Sequence, residues 1–456
     1  MIVKTGSKSK VYLIIGDIII ILFSFYLAFL IRLGRPLYDP EYGYKNIFLT
    51  ILLLGIYLIS FYIFGIYNIK ENFRSIRFLT LLLGALIFVV LISTALFFAI
   101  PFVLGRGIFL ISLGIIGILI TGWRLMFSSF IKLAIRQRNV LLVGEGSIVP
   151  IVRTLVKEHP EYNIVGIISG REEPDDNENV DVLGDERELE KVATVHRVDD
   201  IVVVVDPAED KELSMALINC RLRGINVLNI PSFYEQLTNK LPVSHIKEEW
   251  FLYSEGFSNL RNKVYKRLKR VLDVFASFFL IILFLPAGII IAFAIKVSSK
   301  GPVFFRQDRI GELGKPFVLI KFRTMVADAE KEGPEWAADK DPRVTAVGKI
   351  FRKTRMDELP QLFNVLKGDM SLIGPRPERE FFIEKLTKQI PYYSLRFSAK
   401  PGMTGWAQVN YRYGASAEDA LEKLRYDLYY IKNMSLFMDL RIFLRTIRIA
   451  LFGMGR

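Results

Sequence analysis

The chain has 456 residues, 52% of them apolar, and carries 60 basic against 47 acidic side chains, for a net charge of +13. That apolar fraction excludes a disordered chain and is too high for an ordinary soluble enzyme. The single cysteine, Cys220, excludes an intramolecular disulfide and a zinc centre built on several thiolates. His159, His196 and His245 are the only histidines, so chemistry beyond residue 250 has no imidazole base. A basic, apolar chain points to a bilayer with anionic headgroups or to a polyanionic substrate.

Four apolar runs fill the first third: 11–31, 47–67, 78–104 and 108–123, the last continuing toward Ile135. Each approaches or exceeds the roughly 20 residues that a spanning helix needs. They predict a four-helix transmembrane bundle over residues 1–138. The first run is too long for a cleaved signal peptide and lacks a small-residue cleavage site. Lys4, Lys8, Lys10, Lys70, Arg74, Arg77, Lys132, Arg136 and Arg138 fall on one side of the bundle, against Arg32, Arg35, Lys45 and Arg106 on the other. The positive-inside bias then puts both ends of the bundle in the cytoplasm. Asp17, inside the first run, is costly in lipid and is predicted to face the bundle interior in a packing role.

The composition changes sign over 139–260, which holds 11 basic and 23 acidic residues. That asymmetry marks a separate domain. Short apolar strands at 139–143, 163–169, 200–205 and 225–230 alternate with helical spacing at 148–157 and 209–223, the latter ending at Gly224. The alternation predicts a parallel sheet in a Rossmann-like α/β domain. An acidic surface loop covers 171–181. The first strand runs into Gly144-Glu145-Gly146-Ser147-Ile148-Val149, a glycine fingerprint whose third glycine is replaced by Val149. No carboxylate closes the second strand, which ends Ser169-Gly170-Arg171. A dinucleotide site needs both features, so the domain is expected to serve packing, regulation or assembly.

The last segment, 261–456, opens with Lys263, Lys266, Arg267, Lys269 and Arg270, then an apolar stretch over 271–297 interrupted by Asp273, Pro286 and Lys296. Both flanks are basic, which a true span would contradict, and a proline mid-helix removes a hydrogen bond. These features predict a re-entrant helix that breaks near Leu285-Pro286 and returns to the same face. Strands at 302–309 and 315–324 pair around Glu312-Leu313-Gly314, with Lys321 and Arg323 on one face. Further on, Asp357-Glu358 begins a helix with Pro360 in its first turn and Gly368 at its end. Arg352 precedes this pair, and Arg376 follows in a rigid Pro-Arg-Pro. Cations, a carboxylate pair and a helix amino terminus are chemistry for a magnesium-bound diphosphate. In the tail, 435–452 reads as a basic amphipathic helix lying in the membrane interface. Arg441, Arg445 and Arg448 mark one face, and Leu436, Leu440, Phe443, Ile447 and Leu451 form an apolar stripe.

Seven stretches make the last module resemble the bacterial sugar transferases, the monotopic polyprenyl-phosphate phosphoglycosyltransferases. They are Gly301-Pro302-Val303-Phe304-Phe305-Arg306-Gln307, Lys321-Phe322-Arg323-Thr324-Met325, Asp341-Pro342-Arg343-Val344-Thr345, Asp357-Glu358-Leu359-Pro360, Gly368-Asp369-Met370-Ser371-Leu372, Gly374-Pro375-Arg376-Pro377-Glu378 and Lys400-Pro401-Gly402-Met403-Thr404-Gly405-Trp406-Ala407-Gln408-Val409. Four helices and a Rossmann-like domain ahead of the module resemble the family's long form, the undecaprenyl-phosphate glucose or galactose phosphotransferases. Asn410-Tyr411-Arg412-Tyr413-Gly414 departs from the Asn/Ser-Gly-Arg-Asn common there, which leaves the donor sugar open.

The resemblance implies a membrane protein of mixed α and α/β architecture: a transmembrane bundle, a Rossmann-like domain and a monotopic α/β catalytic domain. It implies transfer of a hexose-1-phosphate from a UDP-sugar to undecaprenyl phosphate with release of UMP, the initiating step of exopolysaccharide, capsule or O-antigen synthesis. Asp357 is then the nucleophile and Glu358 a catalytic group and magnesium ligand, while Lys321, Arg323, Arg352 and Arg376 contact phosphate. The implied setting is the bacterial inner membrane, with the N-terminus and both later domains cytoplasmic. The bilayer is a partner, a homodimer is compatible with the sequence, and no nucleic-acid motif occurs. Two other readings are a membrane-anchored nucleotide-sugar dehydratase and a non-enzymatic scaffold for polysaccharide assembly. The dehydratase would need a Tyr-x-x-x-Lys late in the Rossmann-like domain. The one convincing match, Tyr265 to Lys269, lies instead in the basic approach to the re-entrant helix.

Overall fold

The computed structural model describes residues 5–34, 43–68, 71–99, 105–134, 137–144, 149–169, 181–204, 210–246, 248–253, 256–326, 329, 341–411, 414 and 416–452. Glu145, Gly146, Ser147 and Ile148 of the glycine motif lie outside them, as do Lys4, Arg35, Lys70, Arg136, residues 171–180, Arg412 and Tyr413. The chain divides into two compact units, Met1–Arg136 and Gln137–Arg456.

In the first unit, α1 (Thr5–Leu33), α2 (Gly43–Ile63), α3 (Ile76–Ala99) and α4 (Arg106–Ala134) form a bundle. Helices α1 and α3 each pack on both α2 and α4. Phe25, Leu53, Tyr57, Phe78, Val89 and Ile116 lie in its core. Ile19, Ile51, Leu83 and Ile118 are equally apolar but face outward. A helix apolar on every side needs an apolar surround on its outer face as well. By length and composition, Lys10–Leu33, Ile76–Leu96 and Arg106–Ser129 can each cross a membrane, whereas the apolar helix Ile47–Ile63 is shorter.

Asp17 does face the interior. Its partner is Arg124, whose guanidinium donates two parallel hydrogen bonds at 2.9 and 2.7 Å, with both side chains fully inaccessible. Arg124 follows the core of the fourth apolar run, 108–123, on its continuation toward Ile135. Bidentate pairing lets two charges share a site that neither could occupy alone.

The second unit opens with β1 (Arg138–Val143), α5 (Val149–Lys157), β2 (Tyr162–Ile168), β3 (Val182–Gly184), α6 (Leu189–Val195), β4 (Asp200–Val203), α7 (Lys211–Leu222), β5 (Asn226–Asn229) and α8 (Ile230–Thr238). The strands form one sheet in the order β3-β2-β1-β4-β5, and every pairing is parallel. The parallel sheet expected from the alternation is present, and β3, α6 and α8 are additions to it. Burial on both faces explains why its strands read as continuous apolar runs.

After α9 (Glu248–Tyr253) come α10 (Lys263–Ser298), β6 (Phe304–Ile310), β7 (Pro316–Phe322), α11 (Ala346–Thr354), α12 (Gln361–Lys367), β8 (Ser371–Ile373), α13 (Glu380–Gln389), β9 (Gly402–Thr404), α14 (Trp406–Asn410), α15 (Ala417–Lys432) and α16 (Leu436–Phe452). Strands β6 and β7 form the expected antiparallel pair, and β8 pairs in parallel with β9. The division expected at residue 260 falls inside this unit, and the chain on either side of it is bolted together. Trp406 Nε1 donates to the Asn239 carbonyl at 3.1 Å, and Lys432 pairs with Glu235 at 2.6 Å. Leu241, Val243 and Ile246 enter the core that also holds Trp406, Leu424 and Ile442.

Helix α10 is one continuous run of 36 helical residues with Pro286 inside, and such a run can bend where the proline ring removes a backbone hydrogen bond. A proline removes one backbone donor, and the turns on either side can stay bonded when packing holds them. Both parts of α10 are anchored on this unit. Arg270 donates to the carbonyls of Val365 and of Leu366, and Asp273 accepts from Ser371 Oγ at 2.7 Å and from Leu372 N at 3.2 Å. Further along, Ile291 and Ile295 bury with Phe322. Between these anchors no residue from 278 to 290 is buried, and Phe279, Ile282, Leu283 and Ile289 are each more than half exposed.

The tail helix α16 turns two of its three expected surface arginines onto the protein. Its cations turn inward: Arg441 and Arg445 lie over the ring of buried Trp406, at 5.0 and 4.8 Å from the centroid. Asp439 is buried and accepts from Lys269, Tyr265 and Tyr430. Phe437, Leu440, Leu451 and Phe452 remain exposed.

Candidate active site

The sequence places two carboxylates between two apolar residues, Met356-Asp357-Glu358-Leu359. The helix expected to start at Asp357 starts later. A single 3-10 turn, Met356–Glu358, carries the acids, and α12 follows after Pro360. Met356 and Leu359 pack on the cluster of Ile291, Ile295 and Phe322, so the turn is held by its apolar flanks. Arg355, between α11 and this turn, has a left-handed backbone (φ 55°, ψ 19°). A non-glycine residue bears some strain there. Arg355 closes α11, its N–H donating to the Arg352 carbonyl, and its guanidinium comes 3.9 Å from Glu358.

Helix α11 starts at a Thr345 cap that accepts from Gly348 N at 3.0 Å. Gly348 abuts the main chain after β7, where an added Cβ would stand 2.1 Å from the Thr324 carbonyl oxygen. This close approach lets Arg352, one turn on, donate from Nε to Thr324 Oγ1 at 3.0 Å. From the other side, Arg376 donates from Nη2 to Glu358 Oε1 at 2.8 Å. Lys321 comes from β7, with its ammonium 4.9 Å from the centre of the Phe305 ring.

The two acids differ electrostatically. Burial would raise Glu358, but Arg376 and Arg355 outweigh it and hold the carboxyl below its usual range. Asp357 is pushed up to about 6, first by burial and then by the charge of Glu358, against the opposing pull of Lys321, Arg352 and Arg376. Among the described residues no hydrogen bond ties Asp357 down. Lys321 is pushed down to about 8, by burial and then by the like charge of Arg309. Two adjacent carboxyls with separated affinities for protons are a common basis for divided roles. Here one acid is engaged by arginine and the other is left available among cations.

The structure brings Asp357, Glu358, Lys321, Arg352 and Arg376 within electrostatic reach of one another. Arg323 is a correction. Strand alternation put it beside Lys321, but β7 ends at Phe322 and the side chain turns to the end of α10. Its guanidinium donates to the Ser299 and Lys300 carbonyls and to Ser299 Oγ, each at 2.9 Å. Gly301 makes room: with φ 123°, an added Cβ would stand 2.0 Å from Arg323 Nη1. The sequence reading overlooked Arg309 and Arg355, which lack the motif context of Arg376.

Among the described residues no group of three or more His, Cys, Asp or Glu side chains is placed to hold a metal ion. Two neighbouring carboxylates do fit magnesium in its other habit, bound by one or two carboxylates with water and substrate phosphates completing the shell.

Residues 264–453 match the family model described as bacterial sugar transferase, and 62–231 match that of a CoA-binding domain. The chain is 43% identical over 256 residues to the UDP-N-acetylgalactosamine-undecaprenyl-phosphate N-acetylgalactosaminephosphotransferase of Aeromonas hydrophila, covering 56% of this chain and 59% of that protein. It is 46% identical over 183 residues to the UDP-glucose:undecaprenyl-phosphate glucose-1-phosphate transferase of Caulobacter vibrioides, covering 39% of this chain and 68% of that one. It is 31% identical over 335 residues to the undecaprenyl-phosphate glucose phosphotransferase of Komagataeibacter xylinus, covering 69% of this chain and 59% of the relative. The chain thus spans about three-fifths of the Aeromonas and Komagataeibacter proteins. It belongs to the bacterial sugar transferase family.

Proposed function

We propose that this protein is an enzyme that transfers a hexose-1-phosphate from a UDP-sugar to undecaprenyl phosphate, as the initiating step of an extracellular or surface polysaccharide. The observation that carries this reading is the site at residues 356–359: an available carboxylate beside an arginine-bound one, within a ring of cations. A Asp357 carboxylate oxygen attacks the sugar-linked phosphorus. The bond to the UMP oxygen breaks, and UMP leaves with its electron pair, forming an aspartyl phosphosugar. An oxygen of the lipid phosphate then attacks the same phosphorus and displaces Asp357, which regenerates the carboxylate and yields the lipid diphosphosugar. Two displacements through a carboxylate are covalent catalysis and need no imidazole. Lys321, Arg352 and Arg376 offset the phosphate charge as it shifts. Magnesium, held at Glu358, would when bound neutralise part of the diphosphate charge.

The test is UMP release by the full chain from a panel of UDP-sugars, with and without undecaprenyl phosphate. At least one donor should give turnover with lipid and a stoichiometric burst without it. Failure of every donor in both conditions would reject the reading.

This function needs the site at the bacterial inner membrane's cytoplasmic face, where a water-soluble donor meets a lipid acceptor. A re-entrant α10 supplies that placement. The support is that both parts of α10 are anchored on one unit while its middle is exposed and apolar, and that both flanks are basic. Single cysteines replacing Lys263 and Lys315 should both react with an impermeant maleimide only from the cytoplasmic side. Labelling of the Lys315 site from outside would overturn the re-entrant reading.

A further inference from the structure

Arg376 donates to Glu358 at 2.8 Å, and the main chain around Arg376 is gripped at four successive carbonyls. Pro375 O accepts from Gly402 N at 2.8 Å, and Glu378 O accepts from Ile310 N at 3.0 Å. The two between them are held by guanidiniums from distant segments: Arg376 O by Arg396 Nη2 at 3.0 Å, and Pro377 O by Arg309 Nη1 at 3.2 Å.

Arg396 is 5% exposed. Its Nη2 also donates to Asp427 Oδ2 at 2.8 Å, and its Nη1 donates to Tyr393 Oη at 2.5 Å. Asp427 lies on α15 and is itself buried. Such a pair is expensive to desolvate, and apolar residues of similar volume often stabilise a core as well or better. Stability is therefore a weak reason for an ion pair here. Its geometry offers another, because a planar fork anchored at Asp427 and Tyr393 turns the second N–H of Nη2 to the carbonyl of Arg376.

We propose that Arg396 and Asp427 are positioning residues for the transfer reaction. They hold the Pro375-Arg376-Pro377 main chain from inside the core, and so set the Arg376 guanidinium against Glu358 and the donor phosphates. The proposal rests on the function argued above and adds to it two residues that do not touch the carboxylate pair. Arg396→Lys keeps the charge but loses the fork, so it should not restore function.

The experiment uses the full chain in lipid nanodiscs with undecaprenyl phosphate and, in turn, UDP-glucose and UDP-N-acetylgalactosamine. Asp427→Asn should lower kcat about 10- to 100-fold, the scale of a misplacement near 1 Å, with less effect on KM. In an Arg376→Ala background the same change should cost no more than about 2-fold, because a residue acting through another has nothing left to position. Additive losses would overturn the proposal. A second readout does not depend on turnover. Peptides covering 374–378 should exchange amide hydrogens about 10-fold faster or more in Asp427→Asn than in the wild type. In Asp200→Asn, which removes an equally buried acid from the β1-β4 region, those peptides should keep wild-type exchange. Unchanged exchange at 374–378 in Asp427→Asn would also overturn the proposal. If instead Asp357→Asn transferred at the wild-type rate, the functional reading would fall, and the exchange result would still decide the positioning.

Discussion

Replacing Asp357 by asparagine should lower turnover by about 10⁴-fold or more, the scale seen when a member of a catalytic unit is removed. The amide has nearly the same shape but is a poor nucleophile toward phosphorus. The wild type, given a UDP-sugar and no lipid, should release no more than one equivalent of UMP per site and gain the mass of one phosphosugar. Asp357→Asn should show neither. The pH dependence follows from the site. Asp357 must be ionised to attack, so the burst rate should rise with pH through about 6. Lys321 must be charged to offset phosphate, so the rate should fall above about 8. Intact-protein mass spectrometry and rapid-quench measurement of UMP over pH 5–9 would check both statements. UMP appearing only with lipid, with no adduct at any pH, would favour direct displacement and leave Asp357 as a base or metal ligand.

The second large effect should be on stability. Trp406 is 1% exposed and ties three elements together. Its ring stacks on Tyr429 of α15 at 6.1 Å and carries Arg441 and Arg445 of α16, while its indole N–H donates to Asn239 at the end of α8. Trp406→Ala should cost about 3–5 kcal/mol, the usual range for deleting a large buried aromatic. For a unit of this size that lowers the thermal midpoint by about 4–8 °C. Trp406→Phe keeps most of the volume and loses the hydrogen bond to Asn239, so it should cost about 1–2 kcal/mol. Thermal unfolding in detergent would measure both, and hydrogen exchange should show the Trp406→Ala loss of protection centred on α16. A midpoint unchanged by Trp406→Ala would mean that α8 and α15 are joined mainly by the ion pairs Glu235–Lys432 and Lys240–Glu422.

Much of this protein is written locally. Helix-length apolar runs, the alternation of short strands with helices, and the clustered blocks around Asp357-Glu358 and Arg376 are properties of neighbouring residues, and local rules recover them. The short elements β3, α6 and α8 escaped because three to nine residues carry too little periodicity to stand out from a loop. Asp17 shows the limit of local reading. Its burial could be argued from its cost in lipid, but its partner is 107 residues away, and no local spacing rule links the two.

The same limit separates two cations that look alike in the sequence. Lys321 and Arg323 stand two apart, which in a continuing strand gives one face and one task. The strand ends between them, so Lys321 joins the carboxylates while Arg323 closes the end of α10. On α16, basic residues at helical spacing signalled a membrane surface by pattern alone, yet Arg441 and Arg445 rest on an indole, because a guanidinium gains as much from a buried aromatic face as from a headgroup. Residue type and spacing determined which groups are present and what class of chemistry they can perform. Only the tertiary structure decided which cations face Asp357 and Glu358, since a charge acts on whatever the fold brings within a few ångströms, irrespective of its distance along the chain.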